Sequence, residues 1–213
     1  MIKPVIITID GPAASGKSSV SRGVADALQT PFVSSGLLYR TATYLALQHS
    51  LEPSDEKTLL EFLNKHQIVL EARSLEPNHI FFDGDDISTA LNTDDVDANV
   101  SVVAKHPNIR LWVDGRLREV KGSFVVEGRD MGTAVFPYAD YKFYLNAPAE
   151  VRAKRRVGER NAELAEVTES LKRRDILDAD QSRPALDAVH IETDKLSLEQ
   201  VIEAILLTLK GKA

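Results

Sequence analysis

The chain has no cysteine, which rules out disulfides, iron–sulfur clusters held by thiolates and cysteine-based zinc ribbons. A reducing cytoplasm suits such a composition. Surplus positive charge is missing as well: 26 Lys and Arg stand against 32 Asp and Glu, a formal net charge of −6. Proteins that coat nucleic acid take much of their affinity from basic side chains that release counterions. That class loses support, and any phosphate site has to be local. No apolar run approaches the about 18 residues of a membrane helix. The first such run, "VIITI" at 5–9, is too short for a secretion signal, lacks a small-residue cleavage site and stops at Asp10. Internal repeats and low-complexity tracts are absent, and the 11 glycines and 9 prolines are scattered.

What is present is 213 residues at 43% hydrophobic, enough for a sizeable core in one domain, or one core with insertions. "PVIITI" (4–9) is apolar on both faces, as expected of a strand covered by helices on each side of a parallel sheet. From Lys17 the period changes to that of a helix, with Val20, Val24 and Leu28 on one face, and Pro31 restarts an extended segment. "LLYRTATYLALQ" (37–48) reads as a helix, and Ser54 reads as the N-cap of a second one in "DEKTLLEFLNKH" (55–66).

Residues 67–88 carry two alternating or apolar runs, with Asp83-Gly84 offering hairpin chemistry, so a small antiparallel insertion is expected at about 67–92. Thr93 opens one further helix and Pro107 sits at the first turn of another. "SFVVE" (123–127), "YKFYLNA" (141–147) and "DAVHIET" (187–193) are strand candidates. Ser197 and Gln200 have capping-box spacing ahead of a C-terminal helix. Strands alternating with helices predict an α/β fold with a mainly parallel sheet.

"GPAASGKS" (11–18) satisfies G-x-x-x-x-G-K-[ST] between a buried strand and an amphipathic helix. Gly11, Pro12, Ala13, Ala14, Ser15, Gly16, Lys17, Ser18 and Ser19 would cradle a nucleoside triphosphate, expected to be ATP. Backbone N–H groups turned by the glycines face phosphate oxygens, the helix adds its positive end, Lys17 reaches the β- and γ-phosphates and Ser18 ligates Mg²⁺. The alternative is a Gly/Ser-rich turn that binds nothing. A guanine-reading N-K-x-D is missing, since "NKHQ" (64–67) lacks the acid, so a small-molecule kinase is favoured over a GTP switch.

Transfer between two anions needs cations that hold both phosphate groups in line. "SSGLLYR" (34–40) puts Arg40 about one helical turn beyond Gly36, and "GRDMG" (128–132) puts Arg129 and Asp130 where a strand runs out, the edge at which open α/β sheets collect ligands. Arg40 alone could be a solvated helix charge. From Arg152 to Arg174 there are eight Lys or Arg against four acids, either a solvated helical hairpin or a lid that closes arginines over the transferring group.

"TIDGPAASGKSS", "SSGLLYR", "FFDGDDIS", "NVSVVAKHPNIR", "GRDMGTAVFP" and "RRDILD", in that order, resemble the bacterial-type cytidylate kinases across nearly the whole chain. The resemblance implies a P-loop kinase domain over 1–213, with a nucleoside monophosphate region at about 37–105 and lid helices at about 150–180. It implies transfer of the ATP γ-phosphoryl group to CMP or dCMP with Mg²⁺, by a cytoplasmic monomer with no nucleic-acid or membrane partner.

By motif match Ser35, Arg40, Ser101, Arg110, Arg129, Asp130, Arg174 and Asp178 fall on CMP-binding positions, beside Tyr39 and Gly128. Lys17, Arg129 and Arg174 would be the catalytic cations, and Arg152, Arg155 and Arg156 the lid candidates. Asp130, Ser101 and Arg110 match the cytosine edge, with its N4 donor beside the N3 and O2 acceptors. Asp178 would take the ribose hydroxyls, and no general base is required because the acceptor phosphate is itself an anionic nucleophile.

The chain departs from the family pattern at three places. Glu127 replaces an Asp before "GRD". Gln181 stands at a usual Arg, with Arg183 nearby and a shortened segment to Asp187. The lid helices, with Arg160 between them, are short. The rival readings are another small-molecule or nucleoside monophosphate kinase on the same core, and a non-catalytic ATP-binding sensor.

Overall fold

The computed structural model describes residues 3–157, 163–179 and 182–211, apart from the side chains of Arg174, Leu177 and Asp178. The chain forms two compact units, one of Met1–Phe32 with Ser123–Ala213 and one of Val33–Gly122. In chain order the elements are β1 (Ile6–Asp10), α1 (Lys17–Ala27), β2 (Phe32–Ser34), α2 (Ser35–Gln48), α3 (Glu56–Lys65), β3 (Ile68–Glu71), β4 (His79–Phe82) and β5 (Asp85–Asp86). A 3-10 turn at Ser88–Leu91 leads into α4 (Asp94–Val103) and α5 (Pro107–Arg118). The first unit then resumes with β6 (Phe124–Gly128), a π-turn at Met131–Val135, β7 (Tyr141–Asn146), α6 (Ala149–Val157), α7 (Leu164–Asp178), β8 (Val189–Glu192) and α8 (Leu198–Gly211).

The larger sheet has five strands in the order β2-β6-β1-β7-β8, of which β6, β1, β7 and β8 lie in the first unit and are parallel at β6–β1, β1–β7 and β7–β8. The apolar runs that identify these strands are buried because helices cover them: Ile7, Ile9, Val125, Phe143 and Leu145 share a core with Val20 and Val24 of α1 and Val201 and Ile205 of α8. Leu28 does not continue that helical face. Helix α1 ends at Ala27, and Leu28 serves as its C-cap with 41% of its surface exposed. The predicted capping box at the C-terminal helix forms in both directions, Ser197 N donating to Gln200 Oε1 at 2.8 Å and Gln200 N to Ser197 Oγ at 3.3 Å.

The second unit packs α2 against α4 and α5, and α3 against α5. Its insertion is an antiparallel sheet of three strands, β3-β4-β5, one more than the two runs visible in the sequence. Asp83 and Gly84 take φ of 49° and 97° between β4 and β5, the left-handed pair that a two-residue hairpin requires. Asp55, not Ser54, caps α3: its carboxylate accepts from Thr58 N at 3.1 Å and Thr58 Oγ1 at 2.7 Å. A carboxylate gains more than a hydroxyl at the positive end of a helix, and Asp55 is one residue closer to it. Among the described residues no helix is long and apolar enough to cross a membrane.

Candidate active site

In the first unit, β1 ends at Asp10 and the chain turns through residues 11–16 into α1. Gly11 has φ 152°, and a Cβ there would lie 2.2 Å from the carbonyl oxygen of Leu145 on β7, so only glycine lets the loop leave the sheet at this point. Gly16, at φ 90° and ψ 7°, is the N-cap of α1 and contributes no side-chain cap. The positive N-terminal end of α1 suits an anionic ligand. Lys17 is buried and donates from Nζ to Pro12 O at 2.7 Å, which holds the ammonium over the loop. Ser15 Oγ is buried with no hydrogen-bond partner among the described residues. An orphaned hydroxyl inside a loop of turned glycines fits an anionic guest that supplies acceptors.

Ser18 is exposed on the first turn of α1. Among the described residues no group of three or more His, Asp or Glu side chains could hold a metal ion by itself. One hydroxyl, completed by phosphate oxygens and water, is a donor set that suits Mg²⁺.

The outer side of the loop is braced by two of the lid candidates. Arg152 on α6 is buried and donates from Nη1 to Ala13 O at 2.9 Å and from Nε to Ala147 O at 2.8 Å. It also pairs with Asp175 on α7. Arg155 donates to Ser15 O at 3.3 Å, to Thr193 Oγ1 at 3.1 Å and to Thr193 O at 2.5 Å. Arg156 follows, half-buried, on the same helix. With Lys17 on Pro12, three cations therefore engage carbonyl oxygens of the loop. A cavity of about 290 Å³ beside the loop is lined by Pro12, Tyr144, Arg152, Asp175 and Ser182, among others.

Arg129 and Asp130 follow β6, whose Gly128 stands level with Asp10 in the parallel register. Arg129 Nη1 lies 3.4 Å from Ser182 Oγ, and Asp130 opens the π-turn, its carbonyl accepting from Ala134 N at 2.8 Å. Glu127, at the departure from the family's Asp, is buried on β6. Asp10 was not among the candidates, yet it is the most perturbed acid here. Its carboxylate accepts from Met131 N at 2.9 Å and Gly132 N at 2.8 Å. Burial pushes its pKa up from 3.8 to about 6, the two amide bonds and Lys17 oppose the shift, and Asp130 adds to it. The visible signal was an acid closing an otherwise apolar strand, but its partners lie 121 and 122 residues away.

In the second unit, Ser35 is buried as the first residue of α2. Arg40, one turn further on, is not a freely solvated charge: it pairs with Asp97 of α4 and donates to Leu91 O at 3.0 Å. Ser101 lies four residues beyond Asp97, on the same face of α4. Arg110 of α5 places its guanidinium 5.8 Å from the ring centre of Tyr39, and its Nη1 lies 3.4 Å from Ala104 O. Arg40 and Tyr39 thus lie on α2, and Ser101 and Arg110 on the two helices α4 and α5 that pack against it, and Asp97 is the member the sequence reading missed.

Arg174 and Asp178 fall on α7 with side chains outside the described residues, as do Arg160 and Gln181 altogether, while Arg183 is exposed before β8.

The parallel sheet, glycine-turned loop, lysine and following helix define a P-loop phosphotransferase. A shikimate kinase from Bacteroides thetaiotaomicron has the same fold, with a TM-score of 0.52 over 98% of this chain and 99% of that one at 12% identity. The family model for cytidylate kinase matches residues 7–211. A cytidylate kinase of Thermus thermophilus is 51% identical over 94% of this chain and 96% of that protein, and one of Bacillus subtilis is 37% identical over 100% of both. The chain belongs to the cytidylate kinase family.

Proposed function

We propose that the protein transfers the γ-phosphoryl group of ATP to CMP or dCMP, giving ADP and CDP or dCDP. The observation that carries this reading is Lys17, held over a P-loop whose neighbouring strand is followed directly by Arg129 and Asp130, in a chain of this family. The loop amides and Lys17 bind the donor phosphates. Ser18 would hold Mg²⁺ through its hydroxyl, and the ion would supply charge neutralisation when bound.

On the acceptor side Arg40, Arg129 and Arg174 take the α-phosphate and Asp178 the ribose, while Asp130, Ser101, Arg110 and Ser35 meet the rest of CMP. The unit Val33–Gly122 is the nucleoside monophosphate region, and α6 with α7 form the lid. Uracil reverses the polarity at position 4 and carries a proton on N3, so fixed partners chosen for cytosine are left unpaired. The lack of cysteine suits a reducing cytoplasm, and the negative net charge gives a nucleic-acid partner no support.

A panel of nucleoside monophosphates with ATP and Mg²⁺ tests this. CMP and dCMP should run well ahead of UMP and AMP, and equal rates on all four would refute cytosine reading. Tight ATP binding without CMP-dependent ADP release would instead point to a sensor.

A further inference from the structure

We infer that Asp10 is a positioning residue, one that fixes the acceptor-binding pair Arg129–Asp130 from the strand that feeds the P-loop. The inference rests on the phosphotransferase reading above and adds a residue to it. The parallel register of β1 and β6 puts Asp10 level with Gly128, immediately before the pair. Immediately after the pair the chain enters the π-turn Met131–Val135, whose first amides have no partner within the turn. Asp10 Oδ1 accepts from Met131 N at 2.9 Å and Oδ2 from Gly132 N at 2.8 Å. Arg129 and Asp130 are thereby held between a strand end on one side and a two-point cap on the other.

The chemistry explains why the residue is an acid in so poor a place for one. Two adjacent N–H donors need two acceptors with no competing donor, and only a carboxylate offers that; an asparagine would turn an amine toward one of them. The charged and titratable groups around it are Asp130, Lys17 and Tyr144, with the Lys142 stem against the same turn. No slack remains between the turn and β1. A Cβ at Gly132 would lie 2.9 Å from Thr8 Oγ1 and 3.3 Å from Asp10 Oδ2. Because Gly11 follows Asp10 directly, one residue both launches the phosphate loop and caps the acceptor pair. Sub-ångström placement of reacting groups governs transfer rates, so this link bears on catalysis.

Steady-state kinetics and amide hydrogen exchange on Asp10→Asn, Gly132→Ala and the double variant test the inference. The two changes disturb the same contact between the turn and β1, one at the carboxylate and one at the turn. Each should raise KM for CMP roughly tenfold, the effect of one hydrogen bond to a charged group, with KM for ATP moving less than about twofold. The double variant should be no worse than the worse single one, and the amides of Met131 and Gly132 should exchange faster. An equal rise in both KM values, or effects that multiply in the double variant, would overturn it. If Asp10→Asn does not fold, Gly132→Ala decides by the same KM split. Absence of CMP turnover by the unaltered protein would sink the functional reading instead, and amide exchange would still decide whether Asp10 caps the turn.

Discussion

The guanidinium of Arg152 on α6 is paired with the carboxylate of Asp175 on α7 and, from its other nitrogens, hydrogen-bonds the carbonyls of Ala13 and Ala147. Its side chain is 4% exposed, against 31% for its partner. These contacts tie Ala13 of the P-loop to α6 and α7 of the first unit.

Arg152→Met keeps the volume and removes every one of those donors, leaving Ala13 and Ala147 carbonyls without them. Stability should fall by on the order of 2 kcal/mol, less than for a wholly buried pair because Asp175 is partly in water. KM for ATP should rise more than KM for CMP. Urea unfolding with steady-state kinetics checks both. A loss of kcat above about a hundredfold with stability intact would assign Arg152 to the transferring phosphoryl group instead.

Asp10 gives a stability prediction with a defined sign. Its pKa in the fold, about 6, is raised above the ordinary 3.8, so the fold prefers the protonated carboxyl. The stability linked to that preference is complete below pH 3.8 and is lost as pH rises through about 6. The gap between the two values corresponds to about 3 kcal/mol at neutral pH. Asp10→Asn carries no charge at either pH. Its stability relative to the unaltered protein should therefore improve by up to about 3 kcal/mol between about pH 4 and about pH 8. Urea unfolding of both proteins across that range, where other acids cancel in the difference, reads it. A variant both steadier at high pH and poorer with CMP would mark Asp10 as kept for its site.

The two loop glycines should differ in their tolerance of a methyl group. At Gly11 the new Cβ meets backbone, the Leu145 carbonyl oxygen at 2.2 Å, and neither strand can retreat from the sheet. At Gly16 the nearest atom is an Arg155 nitrogen at 3.9 Å, so only the left-handed φ of 90° is penalised. Gly16→Ala should cost about 1–2 kcal/mol. Gly11→Ala should cost more than that and weaken ATP binding by displacing the amides. Thermal unfolding and ATP titration give the order, and an equal or reversed order would contradict the role given to the Leu145 contact.

The P-loop and the parallel sheet were legible because their signals are local: a strand buried on both faces, glycines at fixed spacing, a lysine at the start of a helix. The same holds for the Asp83-Gly84 hairpin and for the Ser197–Gln200 cap, whose partners lie within a few residues. Asp10 and Asp97 were not legible, because each acts through a partner brought to it by strand register or helix packing. The packing of Arg152 was not legible for a related reason. A run of basic residues looks the same whether its arginines face solvent, a phosphate or a carbonyl, and only the packing of α6 on α7 separates these cases. Ser54 lost the cap of α3 to its neighbour Asp55, a one-residue competition that propensity alone does not settle.

Lys17 and Asp130 should fail in different ways when truncated, and the difference tests the division of labour between the two ends of the reaction. Lys17 is buried over the loop, its ammonium 2.7 Å from Pro12 O, so Lys17→Ala should lower turnover with every acceptor alike. Asp130 stands at the end of β6, outside the loop. As the acceptor of the cytosine N4 donor, its truncation to Ala should cut the preference for CMP over UMP by roughly 1–3 kcal/mol, the worth of a specific base-edge contact. Turnover with UMP should change little, since that base offers no N4 donor to lose. The measurement is kcat/KM for CMP and UMP with each variant, beside circular dichroism to confirm folding. A uniform collapse in Asp130→Ala with the CMP to UMP ratio unchanged would reassign Asp130 from the base to the support of Arg129, its neighbour in the chain.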